Sequence, residues 1–216
     1  MQMSGTILVL PEAFNLESYD LRSNIREYPR MLSDLQQVSE DFDIVIVAGL
    51  IIPSPTHHEK PYSSAYLIDA NGAELMCHKM LQDSQGPYRP CQTGCDGHNA
   101  VKYLNVALCC LVCMDAYERH APAQQERLRL LKEKMDKLTE VEYRLMCVPA
   151  HIEENQPNFW GIPNSYRIVA NASNRPEFPK SPGSSVEYMD EQPSPVIRVP
   201  DHSPCIGLHP LRPEGS

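Results

Sequence analysis

The chain has 216 residues, 42% of them hydrophobic, and a formal net charge of −9. This length allows one sizeable core, and the composition is that of an ordinary globular protein. The acidic balance argues against a nucleic-acid partner, because phosphate binding needs a basic face. No apolar run reaches the roughly 20 residues that a membrane-spanning helix requires, so no membrane partner is expected.

The cysteines and prolines indicate the cellular compartment of the protein and its domain organisation. Residues 1–10 have neither the basic region nor the cleavage site of a secretory signal peptide. We therefore expect the eight cysteines to be free thiols in a reducing, cytoplasmic environment. The twenty prolines cluster after residue 149. This predicts a single domain over residues 1–216 with a loop-rich C-terminal part from about residue 150.

The first predicted elements are a short apolar strand, a helix and a second strand. Thr6–Leu10 is the first strand and ends at Pro11, so Glu12 lies at its carboxyl end, where ligands bind in open α/β sheets. The second strand, Asp43–Leu50, is apolar on both faces and should be central in a sheet. Apolar residues at helical spacing predict the helix between them: Met31, Leu32, Leu35 and Val38.

A β-hairpin is predicted next. Ser64–Asp69 and Ala73–Lys79 read as strands joined by Ala70, Asn71 and Gly72. Asn-Gly between apolar runs is a strong hairpin signal, because both residues accept positive φ. The second strand carries Lys79 at its end, as the first strand of the chain carries Glu12.

A buried strand ending in a thiol is predicted at Val106–Cys113. The residues after Cys113 lead towards a helix, whose N-terminus would favour the reactive thiolate. The run contains Cys109, Cys110 and Cys113, and free cysteines are often core residues, so local evidence does not choose among them. The Cys110–Cys113 spacing also matches a redox dithiol, but such dithiols open helices rather than end strands.

The rest of the chain alternates helix and strand. A helix after Pro122 has an apolar stripe over residues 128–138 and a charged face that we expect to be solvated. Strands are predicted at Tyr143–Ala150 and Tyr166–Ala172, with shorter pieces at Ser184–Met189 and Pro195–Val199. The alternation indicates the α/β class.

Metal sites are weakly indicated. His57 and His58 lie in a proline-rich loop without a helical partner at i+4. Cys91, Cys95 and His98 share a loop but lack a fourth ligand at zinc spacing. We therefore expect no metal and no cofactor.

The order of the strand-end residues resembles the carbon–nitrogen hydrolase (nitrilase) superfamily along nearly the whole chain. The shared features are Glu12 after Pro11, Lys79 closing a hairpin strand, and Cys113 followed by Met114 and Asp115. The resemblance implies a four-layer α-β-β-α sandwich and a hydrolase of small linear amides, nitriles or carbamoyl compounds.

The resemblance also implies roles for these residues. Cys113 would be the covalent nucleophile, Glu12 the general base, and Lys79 a stabiliser of the oxyanion, with the Met114 backbone N–H as a second donor. A thiol, a carboxylate and a fixed cation are the groups that such acyl transfer needs. A homodimer or a larger homo-oligomer is implied as well.

Three departures from the family pattern leave open a second function, without catalysis. The usual first strand–helix unit is missing before Glu12, the loop at 82–99 lacks a second glutamate, and the segment from His151 to Asn164 is shortened. A catalytically inactive nitrilase-fold binding or assembly protein would also fit these losses. The pKa of Cys113 discriminates, because a lowered value favours the enzyme and a raised one an inert core cysteine.

Overall fold

The computed structural model describes residues 5–14, 21–54, 60–80, 91, 99–116, 123–151, 161–171, 184–189 and 197–198. His57, His58, Cys95 and His98, which the sequence indicates only weakly as metal ligands, lie outside these residues, as does most of the proline-rich C-terminal part. No helix within the described ranges is long and apolar enough to cross a membrane.

The first sheet is built from the N-terminal half of the chain. Its strands run in the order β1-β2-β3-β4, with β1 parallel to β2 and the remaining neighbours antiparallel. The elements of this half are β1 (Thr6–Val9), α1 (Leu21–Phe42), β2 (Ile44–Ile52), β3 (Tyr62–Asp69) and β4 (Gly72–His78).

The second sheet has the order β10-β9-β8-β7-β6-β5. Strands β6, β7 and β8 are parallel, and the other neighbours are antiparallel. A 3-10 turn, Cys113–Ala116, follows β6. The elements are β5 (Ala100–Tyr103), β6 (Val106–Cys110), α2 (Ala123–Asp136), β7 (Tyr143–Ala150), β8 (Ser165–Asn171), β9 (Ser185–Met189) and β10 (Ile197–Arg198).

The two-residue period of β2 explains how the layers stack. Ile46, Ala48 and Leu50 pack with Leu35 of α1 on one face of the first sheet. Val45 and Val47, on the other face, belong to the core shared with the second sheet. Helix α2 contacts β5 and β6 and buries Leu128, Leu131 and Met135 in that core. The predicted four-layer α-β-β-α sandwich is therefore confirmed.

The hairpin between β3 and β4 is confirmed, and its turn has a clear cause. Asp69 pairs with Gly72, which has a φ of 149° that favours glycine. One carboxylate oxygen of Asp69 accepts the N–H groups of Asn71 at 2.8 Å and Gly72 at 3.1 Å. The hairpin fixes the register that brings β4 to its end at His78, one residue before Lys79.

Strand β5 is missing from the sequence-based prediction, which places an irregular loop at residues 82–99 and no strand after it. Ala100–Tyr103 pairs with Val106–Cys110 through a two-residue turn at Leu104 and Asn105. Leu104 has a φ of 52°, which is uncommon for a non-glycine residue. The turn has no glycine, so the usual hairpin signal is absent.

Candidate active site

Glu12 lies in a turn after β1 that both sheets hold in place. Its N–H donates to the carbonyl oxygen of Ala150 in β7 at 3.3 Å. Two residues later, the N–H of Phe14 donates to the carbonyl oxygen of Gly49 in β2 at 2.9 Å. The Glu12 side chain is 1% exposed. The carboxylate is therefore fixed inside the protein rather than solvated in a loop.

Gly49 makes this position of Glu12 possible. A Cβ atom at residue 49 would lie 2.6 Å from Glu12 Cα, 2.7 Å from the Pro11 oxygen and 2.7 Å from Pro149 Cβ. These distances are well below van der Waals contact, and two of the three atoms belong to backbone. The missing side chain lets the Glu12 turn rest directly on β2. Sequence reasoning treats Gly49 only as the end of a buried strand.

Lys79 meets Glu12 at the end of β4. Its Nζ lies 2.7 Å from Glu12 Oε1, and the two side chains form a buried ion pair. The backbone N–H of Lys79 donates to the carbonyl oxygen of Ser63 in β3 at 2.7 Å. Lys79 is 5% exposed. The two strand-end residues, 67 positions apart, thus share one site.

Ser63 is a site residue that sequence reasoning misses. It is fully buried in β3, and its hydroxyl donates to Glu12 Oε1 at 2.7 Å. Oε1 therefore accepts from both Ser63 and Lys79. Oε2 of Glu12 is buried and has no hydrogen-bond partner among the described residues. The two donors therefore fix one oxygen of the carboxylate.

Cys113 opens the 3-10 turn after β6. It has a φ of 47°, a left-handed conformation that non-glycine residues adopt mainly at special sites. Its thiol is 3% exposed and donates to the carbonyl oxygen of His151 at 3.6 Å. Cys109 and Cys110 are fully buried in β6. They belong to the core of the strand, and Cys113 is the thiol beyond it.

Burial dominates the acidity of the Cys113 thiol. Desolvation and the nearby Glu12 carboxylate raise the pKa of Cys113, while Lys79 and the backbone hydrogen bond at His151 lower it by less. The net effect is to raise the pKa from 9.0 to about 12. The predicted stabilisation of a thiolate is therefore wrong for this site, and the thiol is neutral at physiological pH.

The same groups act on Lys79. Burial lowers the pKa of Lys79, but interactions with Cys113, Glu12 and Asp115 raise it by more, and the net pKa is above its ordinary value. Lys79 is thus held as a cation. Glu12 and Lys79 both affect the pKa of Cys113, and Glu12 and Cys113 both affect that of Lys79.

Cys91 is a second buried thiol near this pair. Burial is the largest cause that raises its pKa to about 12, with a further rise from Glu12 and a decrease from Lys79. Cys95 and His98, which share its loop, lie outside the described residues. Within the described part of the chain, no three His, Cys, Asp or Glu side chains form a metal-binding group. No disulfide joins Cys110 to Cys113.

Met114 lies in the same turn as Cys113. The role of its backbone N–H as an oxyanion donor stays a prediction.

Arg127 departs from its expected place on a solvated face of α2. Its side chain is 17% exposed, and its Nη1 lies 3.7 Å from Asp115 Oδ1.

Comparisons with known proteins connect this geometry to a fold. No protein-family model and no curated protein matches the chain. A variant of the Nesterenkonia AN1 amidase, from the nitrilase superfamily, has a TM-score of 0.66 at 17% identity, covering 90% of this chain and 74% of its own.

Two further solved structures are similar. One is the Nesterenkonia sp. AN1 amidase after Michael addition of acrylamide at its active-site cysteine (TM-score 0.63, 18% identity, 90% of this chain and 76% of that chain). The other is a carbon–nitrogen hydrolase from Helicobacter pylori (TM-score 0.62, 14% identity, 85% and 70%). The protein therefore has the fold of the nitrilase-superfamily carbon–nitrogen hydrolases.

Proposed function

We propose that this protein is a hydrolase of non-peptide C–N bonds in small linear amides, with nitriles and carbamoyl compounds as related substrates. The observation that carries the proposal is the buried ion pair of Glu12 and Lys79, both of which act on the pKa of the buried Cys113 thiol. The amidase nature of the structural neighbours supports it. Catalysis would use Glu12, Lys79 and Cys113 as a triad.

The first half of the reaction forms a thioester. Cys113 Sγ attacks the amide carbonyl carbon while its proton passes to Glu12 Oε2, the oxygen without a partner among the described residues. Lys79 Nζ and the Met114 N–H stabilise the resulting oxyanion. The proton on Glu12 then moves to the amide nitrogen, the C–N bond breaks, and ammonia or an amine leaves.

The second half hydrolyses the thioester. Glu12 takes a proton from water, and the hydroxide attacks the thioester carbon. A second oxyanion forms against the same donors and collapses with cleavage of the C–S bond. The sulfur regains the proton from Glu12, and a carboxylic acid is released. This sequence needs a neutral thiol with an adjacent base, so the raised pKa of Cys113 is compatible with it.

The test combines turnover with labelling. The wild-type protein should hydrolyse members of a panel of small amides and nitriles, and acrylamide or iodoacetamide should label Cys113. Cys113→Ala should abolish both. Cys110→Ala, which removes a fully buried thiol of β6, is the matched control and should retain both. Absence of wild-type turnover together with an unlabelled Cys113 would overturn the proposal.

An inactive nitrilase-fold binding or assembly protein is the second candidate. The raised pKa of Cys113 favours it, because a deeply buried neutral thiol is also what an inert core position has. The two candidates differ in the effect of Glu12→Gln. In an enzyme this change abolishes turnover, whereas in an inactive protein there is no turnover to lose and Cys113 stays unlabelled at neutral pH.

We further propose a homo-oligomer in a reducing, cytoplasmic environment. Within the described residues, β1 pairs only with β2 and is an edge strand of the first sheet. Exposed edges favour pairing with another chain. The free thiols of the described cysteines support the reducing compartment. Light scattering tests the first statement, and a monodisperse monomer would contradict it.

A further inference from the structure

Asp115 is a buried carboxylate that the proposed reaction does not use directly. It lies two residues after Cys113 in the same 3-10 turn, and it is 1% exposed. Its N–H donates to the carbonyl oxygen of Val112 at 3.0 Å, which closes the turn. A buried charge is stable only when it is paired and hydrogen-bonded, so its partners define what it holds.

The first partner is the segment that carries Lys79. Asp115 Oδ2 accepts the backbone N–H of Met80, the next residue along the chain, at 2.8 Å. This is a charge-assisted hydrogen bond of good length, which is stronger than a neutral one. It joins the end of β4 to the turn that contains Cys113. The backbone N–H of Lys79 therefore donates to Ser63, and the N–H of the next residue, Met80, donates to Asp115.

The second partner is Arg127 on α2. Its Nη1 faces Asp115 Oδ1 at 3.7 Å. Both groups also act on the buried Cys77 of β4: after burial, which is the largest cause, Asp115 raises the pKa of Cys77 and Arg127 lowers it. Asp115 thus joins three parts of the fold: the Cys113 turn, the end of β4 and the outer helix.

We infer that Asp115 is a positioning residue for the proposed hydrolysis, because it holds the Lys79 segment against the Cys113 turn through the Met80 N–H. This inference rests on the proposed function. Lys79 must lie within hydrogen-bond reach of an oxyanion that forms on the carbon bonded to Cys113. A fixed link between the two backbones sets that distance, and a misplacement of about 1 Å lowers the rate roughly 100-fold.

Two substitutions separate the hydrogen bond from the charge. Asp115→Asn keeps an oxygen that accepts the Met80 N–H, whereas Asp115→Ala removes it. We expect Asp115→Ala to lower kcat by about 100-fold with little change in KM. The kcat of Asp115→Asn should be at least tenfold higher than that of Asp115→Ala. Asp136→Ala is the matched control, since Asp136 also pairs with an arginine, Arg144, but on the surface. Its kcat should equal that of the wild type.

Hydrogen exchange gives a second readout that needs no substrate. The Met80 amide should be protected in the wild type and in Asp115→Asn, and it should lose protection in Asp115→Ala. Should Asp115→Ala fail to fold, Asp115→Asn decides: a loss of Met80 protection or a kcat more than tenfold below wild type overturns the inference.

The outcomes also distinguish this inference from the proposed function. A wild type that turns over no substrate and whose Cys113 stays unlabelled would overturn both the proposed function and the role of Asp115. A wild type that turns over amides, with a folded Asp115→Ala of equal kcat, removes only the role of Asp115. Equal kcat losses in Asp115→Asn and Asp115→Ala would show that charge rather than the Met80 hydrogen bond matters, and would likewise overturn the inference.

Discussion

Gly49→Ala is the sharpest test of how the Glu12 turn is held. The added methyl group would enter a space bounded by Glu12 Cα at 2.6 Å, the Pro11 oxygen at 2.7 Å and Pro149 Cβ at 2.7 Å. None of these atoms is the end of a flexible side chain. The strands that carry residues 49 and 149 are central in their sheets, so we expect the Glu12 turn to move.

The size of the movement follows from the contact distances. Carbon atoms pack at about 3.5–4.0 Å, so Glu12 Cα must retreat by roughly 1 Å. Such a displacement stretches the hydrogen bonds from Ser63 and Lys79, both 2.7 Å long. Overpacking of this kind typically reduces stability by about 1–3 kcal/mol. A base misplaced by about 1 Å reduces the rate roughly 100-fold.

The assay compares kcat/KM on an amide substrate with the free energy of urea unfolding. Gly72→Ala is the matched control. Residue 72 has a φ of 149° and no neighbour within 4 Å of its Cβ position, so this substitution strains the hairpin without touching the site. Gly72→Ala should lose stability but keep its kcat/KM. A Gly49→Ala protein with wild-type stability and turnover would refute the close approach of Glu12 to β2.

Three further predictions concern the site and its surroundings. Ser63→Ala removes one of the two donors to Glu12 Oε1. It should lower kcat/KM about tenfold, which is equivalent to roughly 1.4 kcal/mol. Unchanged steady-state kinetics would exclude Ser63 from the site. Lys79→Met should lower kcat by about 10²–10³-fold, and a loss confined to KM would contradict its oxyanion role. The free energy of unfolding should fall as the pH rises above 9. The fold raises the pKa of Cys91 and of Cys113 from 9.0 to about 12, so above pH 9 the unfolded chain loses the thiol protons while the folded protein keeps them. Urea midpoints between pH 7 and 10 with a phosphine reductant measure this, and a flat profile would contradict the burial of the thiols.

Local patterns predict most of the strands and helices, β5 excepted, because each signal lies within a few residues. The continuous apolar run of β2 and the Asn-Gly turn are examples, and both are found where expected. Local patterns alone do not predict that Glu12 and Lys79 lie in contact. It followed from the order of strand-end residues and their likeness to a known family. The resulting ion pair has an Nζ–Oε1 distance of 2.7 Å.

Residues that act through tertiary contacts could not be predicted. Ser63 reads as an ordinary strand serine, and only the packing of the β1 turn against β3 brings it to Glu12. Arg127 lies among surface charges of α2, yet its position in the fold turns it towards Asp115. The prediction of a stabilised Cys113 thiolate is wrong for a related reason. A helix start lowers the pKa of a thiol, but the desolvation that burial imposes on Cys113 raises it by more, and burial depends on the tertiary fold.

The electrostatics of the site bear on the choice between an enzyme and an inert protein. Burying Glu12 and Lys79 together is unfavourable for their solvation, and apolar residues of similar volume are often as stable or more so. Ser63 adds a further buried polar group whose only described side-chain partner is that carboxylate. A binding module gains nothing from this arrangement at a solvent-excluded position. A hydrolase gains a fixed cation, a base with one free oxygen and a neutral thiol beside it, all before the substrate arrives. The arrangement as a whole therefore favours catalysis, even though the raised pKa of Cys113 alone does not.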